Sequence, residues 1–300
     1  MNKQDPKNTG GSLHTVDAKL DELSNKIRLM SIGIVACIVV AIVSFLLSLP
    51  LLAFASILGV CGLSYFINKK KAEKKRAAAD VIRETIGESI DIIEYNAFGS
   101  IPESAIESVE LMPHWDEFSG SDLVQGIYRG VNMSFSDIHL VDIEVYRDSD
   151  GKRQTRRNTV FKGQWIVCEL PKTIAHTVRI KERPAVRILP YKSDVETEYT
   201  AFNKKYQILA DDSHTVFYIL TPHFIEYIMS ADLLAEGQTF FCFSGNRVYI
   251  AIDNRRDMFE VSGKNEKVKD IKERVEKEMK YLTDIVDELL QNKYLFGGED

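Results

Sequence analysis

The sequence predicts an α+β protein: an antiparallel β-sheet domain with flanking helices and a long C-terminal helix, anchored by an N-terminal two-helix transmembrane hairpin. Three observations lead there. No Asp, Glu, Lys or Arg occurs from Leu29 to Ile67, a run of 39 residues. From about residue 127 the apolar residues recur at period two, as in half-buried strands. Val268, Ile271, Val275, Met279, Leu282, Val286 and Leu289 then repeat at intervals of three and four, the stripe of an amphipathic helix.

The apolar run is too long for one span and long enough for two, because a bilayer core takes roughly 20 helical residues. Ser48-Leu49-Pro50 divides it into 29–47 and 51–67, since proline breaks the helix ladder and disfavours helix in the residue before it. A single tilted, kinked helix and a hairpin that leaves through the leaflet it entered are the alternatives. Gly33, Cys37 and Ala41 on the first segment, with Ala55 and Gly59 on the second, form small faces suited to close helix contact. Lys69, Lys70, Lys71, Lys74, Lys75 and Arg76 follow the second segment, opposed only by Glu73, while Lys26 and Arg28 precede the first. Positive flanks favour the cytoplasmic side, so the reading is a multi-pass inner (plasma) membrane protein with both termini in the cytoplasm. The run starts too late and extends too far for a secretory signal.

Residues 1–28 read as a disordered tail to about residue 15, then a short amphipathic helix on Val16, Leu20, Leu23 and Ile27. Residues 68–98 read as the basic segment followed by a helix carrying Val81, Ile82, Ile86, Ile90 and Ile93. Residues 99–263 are the α+β domain. Its strands are expected at 127–135, 141–145, 156–170, 177–183, 204–210, 238–244 and 247–252. Asp148-Ser149-Asp150-Gly151 supplies one hairpin turn, because Asp-Gly accommodates positive φ, and Gly245-Asn246 another. Thr221-Pro222 opens a helix through Phe224, Ile225, Ile228 and Met229. Residues 264–300 hold the C-terminal helix and tail; its stripe suits packing on the sheet, or a coiled coil with a second copy.

Composition removes several classes. Of the 300 residues 45% are hydrophobic, which excludes a disordered chain, and four unpaired-spacing cysteines exclude a disulfide scaffold. Cys168 and Cys242 read as buried core thiols. Net charge is −6 overall, but residues 147–192 carry 12 basic and 4 acidic groups. That block centres on Lys152, Arg153, Arg156 and Arg157 and on Arg179, Lys181, Arg183 and Arg187. Arg153, Arg156 and Arg157, with the lysines after the second span, suit anionic headgroups of the inner leaflet. Without aromatic residues among them they do not suit nucleic acid.

Phe161-Lys162-Gly163-Gln164-Trp165, Val195-Glu196-Thr197-Glu198-Tyr199, Phe202-Asn203-Lys204-Lys205-Tyr206 and Tyr218-Ile219-Leu220-Thr221-Pro222-His223-Phe224-Ile225 stand in this order. Together they resemble the signature of a bacterial family known as domain of unknown function 3137, over roughly residues 85–290. The resemblance implies a bacterial source and a membrane location, with no activity and no functional residues to carry over.

No Walker loop, nucleophile elbow or histidine–cysteine metal motif is present, so no metal and no cofactor are expected. The favoured function is a non-catalytic interaction or sensing domain, with membrane lipids, a second copy or an unidentified protein as partner. The alternative is a hydrolase-like enzyme at the membrane surface, using Asp211, Asp212, His214 and His223.

Overall fold

Proline at position 50 does what the sequence suggests. In the computed structural model, which describes residues 6–183, 193–235, 237–261 and 267–297, α1 (Pro6–Leu46) ends just before it and α2 (Pro50–Gly87) begins on it. The chain reverses at Ser48, whose φ of 55° is left-handed, while Leu49 N–H donates to the Ser44 carbonyl at 2.8 Å. Two compact units result, Met1–Thr85 with Phe259–Glu276, and Ile86–Met258 with Lys277–Asp300.

In the first unit both helices are long and apolar enough to cross a membrane, and only 6% and 11% of their apolar windows are buried. The small residues pack the hairpin on itself. A Cβ on Gly33 would stand 3.2 Å from Leu63 Cδ1, and one on Gly59 would stand 3.3 Å from Cys37 Sγ. Leu20 and Leu23 are buried, as the amphipathic stripe requires. The helix starts at Pro6 rather than near residue 16, so residues 6–15 are helical and not the tail expected for them. Asp17 Oδ1 accepts from Val268 N–H at 2.7 Å, and Lys272 pairs with Glu84 at 3.9 Å.

The second unit corrects the reading of 68–98 as helix to its end. The helix stops at Gly87, and β1 (Asp91–Asn96) follows. Ile86, Ile90 and Ile93 keep helical spacing, but Ile86 and Ile90 are buried on either side of a turn while Ile93 is exposed at a bulge in β1. A short helix α3 (Glu103–Glu107) leads to β2 (Glu117–Tyr128), most of which the sequence did not reveal. Its alternation is broken by Asp122, a non-glycine at φ 59° in a bulge. Then come β3 (Val131–Arg147) and β4 (Arg153–Glu182), α4 (Thr200–Lys205), β5 (Tyr206–Ala210), α5 (Ser213–Ile219) and α6 (Pro222–Ala235). The unit closes with β6 (Gln238–Asp253), α7 (Val268–Gln291), whose second half belongs here, and α8 (Lys293–Phe296). All pairings are antiparallel, in the order β1-β2-β3-β4-β5 with β6 also on β4.

Strand β4 organises this sheet. It pairs β3 over residues 153–168, β6 over 164–181 and β5 over 178–182. Straight, its 30 residues would reach roughly 100 Å at ~3.3 Å each, so it must bend. The bends are register shifts between Glu169 and Ile174 and between Ile174 and Val178, at the break the sequence placed between two strands. Gly245-Asn246 is likewise a kink and no hairpin turn. Gly245 takes φ 58° opposite Ile174, and β6 keeps β4 as its partner on both sides. Bulges on facing strands bend the sheet in one place.

The stripe of α7 is buried within the chain itself, with Met279, Leu282, Val286 and Leu289 at 1% exposure or less. Tyr128 Oη donates to Asp287 at 3.2 Å and Arg129 pairs with the same carboxylate at 3.1 Å, holding the second half of the helix to the end of β2.

One contact tests this arrangement. A Cβ on Gly163 would lie 1.9 Å from the Ile252 carbonyl oxygen, where backbone and not a movable side chain blocks it. Gly163→Ala should destabilise the fold by roughly 3 kcal/mol. Gly130→Ala, at φ 81° but in open space, should cost only about 1 kcal/mol. Thermal or urea unfolding of both variants reads the difference.

Candidate functional site

Past residue 142 of β3 and residue 158 of β4 the sheet narrows to a two-stranded ribbon, because β2 leaves β3 at Val141 and β6 reaches β4 only from Gln164. Asp116 makes the last lateral contact, its Oδ2 accepting from Ile143 N–H at 2.7 Å. Residues 144–147 and 153–156 have only each other as ladder partners, and both faces are exposed. The tip is the expected turn: Gly151 has φ 78°, and Asp148 Oδ1 accepts the N–H groups of Asp150 and Lys152.

Register sorts the charges of this arm. Ile143 faces Arg157, Val145 faces Thr155 and Arg147 faces Arg153 on one side; Glu144 faces Arg156 and Tyr146 faces Gln154 on the other. Arg153 and Arg157 therefore share a face that Arg156 does not. Arg157 is held bidentately by Glu117, which stands opposite Val141 on the same side. The reverse side carries Asp142 and Glu144 beside Arg156. There the carboxylates of Asp116 and Asp142 and the His114 imidazole place ligand atoms within 4.8 Å of one another, a spacing a cation could bridge, in a largely exposed position.

The cations after the second apolar segment are not equivalent either. Lys69, Lys71 and Arg76 are exposed, Lys70 pairs with Glu73 at 2.7 Å, and Lys74 is 3% exposed. Arg179 is turned inward, its Nε donating to the Val109 carbonyl at 2.7 Å, and Lys181 Nζ donates to the Glu110 carbonyl at 2.5 Å. Arg183 donates to the Tyr206 carbonyl and to Ser193 Oγ. Much of the second half of the basic block thus ties loops to the sheet. Arg187 lies outside the described residues.

The four polar residues do not form one constellation. Asp212 caps α5, its carboxylate accepting from both N–H and Oγ1 of Thr215 at 2.7 Å, and these bonds hold its pKa below the usual range. Asp211 and His214 are exposed. His223 turns instead to Glu288, with Nδ1 2.6 Å from Oε1. Burial raises the Glu288 pKa and the imidazole lowers it in part. This pair sits in an open cleft of about 370 Å³ walled by Phe217, Tyr218, Phe224 and Tyr294. Asn292 anchors its floor, donating to the Ile219 carbonyl at 2.8 Å and capping α8. Nothing in the sequence links Glu288 to His223; the partnership exists only because α7 returns beside α6.

Burial pushes the Cys168 thiol up to about 12 and the Cys242 thiol up to about 11, so both remain protonated core thiols at neutral pH. Asp137, 4% exposed, is a buried carboxyl instead. Its Oδ2 accepts from Met258 N–H at 2.8 Å and its Oδ1 from Gln164 Nε2 at 3.3 Å. Burial, then the carboxylates of Asp122 and Asp257, raise its pKa well above the ordinary value.

The fold and these surfaces define an α+β domain carried behind two apolar helices of bilayer length. Residues 159–291 match the model of a protein family described as a protein of unknown function, DUF3137. All the signature segments read from the sequence lie in that range, and the structure gives several of them structural roles. Phe161 and Trp165 stack edge to face at 5.6 Å around Gly163, and Gln164 also accepts from Asn254 at 2.8 Å. Asn203 makes three hydrogen bonds with Thr197, at 3.0, 2.9 and 2.7 Å. Among solved structures, the mycobacterial trehalose monomycolate transport factor A, TtfA, is similar at 9% identity with a TM-score of 0.36, covering 71% of this chain and 96% of that one. No curated protein matches the chain.

Two outcomes test these assignments. Asn203→Ala should cost roughly 1–3 kcal/mol in urea unfolding, because it leaves Thr197 groups unpaired. For Asp137, the raised folded value means that the folded state keeps a proton the unfolded chain releases. Its stabilising contribution is therefore full below the ordinary Asp value and is lost as pH rises through the folded one. The stability of wild type relative to Asp137→Asn should fall as pH rises above the ordinary Asp value of about 4, as read from unfolding midpoints at several pH values.

Proposed function

We propose that this chain is a bacterial inner-membrane protein that crosses the bilayer twice, keeps both termini in the cytoplasm and presents the sheet domain there as a non-catalytic interaction or sensing module. The observation that carries the reading is the pair of exposed apolar helices. Nine-tenths or so of each apolar window finds no cover in the chain, 6% and 11% being buried, whereas core helices of this length are covered by their own protein. A bilayer supplies that cover. The excess of Lys and Arg immediately after α2's apolar part supports a cytoplasmic flank, and a two-residue-scale turn at Ser48-Leu49 supports a hairpin, which returns the chain to the side it left. Membrane lipids and a second copy are the partners this arrangement favours. The membrane-surface enzyme would need Asp211, Asp212, His214 and His223 together, and His223 is engaged by Glu288.

Topology mapping in intact cells tests the reading. In a background with Cys37 and Cys61 replaced by serine, Ser48→Cys should react with an impermeant maleimide from outside, and a cysteine placed at exposed Arg153 only after permeabilisation. Labelling of Ser48→Cys only after permeabilisation would replace the spanning hairpin with one that stays in the inner leaflet. Labelling at position 153 in intact cells would reverse the orientation.

A further inference from the structure

The arm at the end of β3 and β4 is built unlike the rest of the sheet. Ile143, Val145 and Arg147 line up opposite Arg157, Thr155 and Arg153 on one face. Arg147 and Arg153 stand directly across the ladder from each other, a like-charge pairing that is unfavourable in itself. Arg147 Nη1 donates to the Gly151 carbonyl at 3.1 Å, but the Arg153 guanidinium makes no hydrogen bond or ion pair among the described residues. Between these guanidiniums and Arg157, Val145 is 49% exposed. The face thus offers aliphatic surface ringed by guanidiniums, with Glu117 as its acidic neighbour on Arg157. The opposite face bears Asp142, Glu144 and Arg156 and is net acidic.

We infer that the Arg147–Arg153 face of this arm lies on anionic phospholipid, guanidiniums on the phosphates and Val145 at the level of the upper acyl chains. The inference rests on the membrane reading above and deepens it by naming the element that touches lipid. A pure charge contact would not need an exposed aliphatic residue, Val145, between the arginines, whereas an interfacial one uses both. A chain already tethered to a bilayer meets its headgroups at high effective concentration, so a small face suffices. The acidic reverse face restricts contact to one side, and Arg156, which a count of charges along the sequence groups with its neighbours, takes no part.

The full chain, with Cys37 and Cys61 replaced by serine, is placed in nanodiscs of phosphatidylcholine alone or with phosphatidylglycerol. A polarity-sensitive dye is attached at Val145→Cys or, as the opposite-face control, at Tyr146→Cys. The expected result is a blue shift at position 145 in the phosphatidylglycerol discs only, reversed by salt, with position 146 unchanged. Arg147→Glu with Arg153→Glu should abolish the shift, and Arg156→Glu should leave it. Equal signals in both lipids, equal shifts at 145 and 146, or loss on Arg156→Glu as complete as on the double substitution each overturns the inference. So does silence in both discs with a shift on adding polyglutamate, which would make the face a site for acidic protein. If the chain stays in solution without lipid, the membrane reading fails. The same label is then read against free phosphatidylglycerol vesicles, where a shift still supports the arm and silence overturns it.

Discussion

Strand β4 is the constraint on which the sheet domain depends. One strand serves three neighbours, so every feature along it has to suit whichever strand lies beside it at that point. Where β3 and β6 both flank it, residue 163 must be glycine because the Ile252 carbonyl approaches too closely for any side chain. Where β3 gives way to β5, the strand bulges beside Ile174, and Gly245 on β6 supplies the matching kink. Where β6 and β2 have both ended, the strand runs on with β3 alone and becomes the arm.

The same organisation accounts for the character of the family signature. Phe161, Gly163, Gln164 and Trp165 occupy the part of β4 that the Ile252 carbonyl approaches closely, and Thr197 and Asn203 lock the turn that leads to β5. Thr221 and Pro222 start α6 and so aim His223 at Glu288. In this chain these residues serve the fold. The arm lies beside the signature, whereas the aromatic cleft is walled partly by it, through Tyr218, Thr221, His223 and Phe224.

The helical hairpin obeys a separate logic. Its outward surface is apolar almost throughout, and Gly33 and Gly59 face inward onto Leu63 and Cys37. In lipid, where apolar side chains gain little from meeting each other, close approach at small residues is what holds two helices together. The amphipathic ends, Leu20 and Leu23 on α1 and Val81 and Ile82 on α2, are buried beyond the apolar windows, as expected of segments that meet water.

Much of this was legible in the sequence because it depends on local spacing. A charge-free run, a proline in its middle, period-two alternation and a period-3.6 stripe fix the hairpin, the antiparallel sheet and α7 without reference to anything distant. The facing of the arm was not legible: counting outward from Asp148–Gly151 would set Arg147 against Lys152, and only the ladder itself, with Arg147 on Arg153, separates Arg156 from its neighbours. What spacing could not show are features made by contacts between remote segments. Ile86, Ile90 and Ile93 keep helical intervals, yet β2 draws the last of them into β1. Most of β2 itself was hidden, because the bulge at Asp122 interrupts its alternation. His223 finds Glu288, and not the nearby Asp211 or Asp212, because α7 folds back 65 residues later. Periodicity reports which face of an element is apolar; only the tertiary structure decides which other element covers that face, and so which polar groups are brought together.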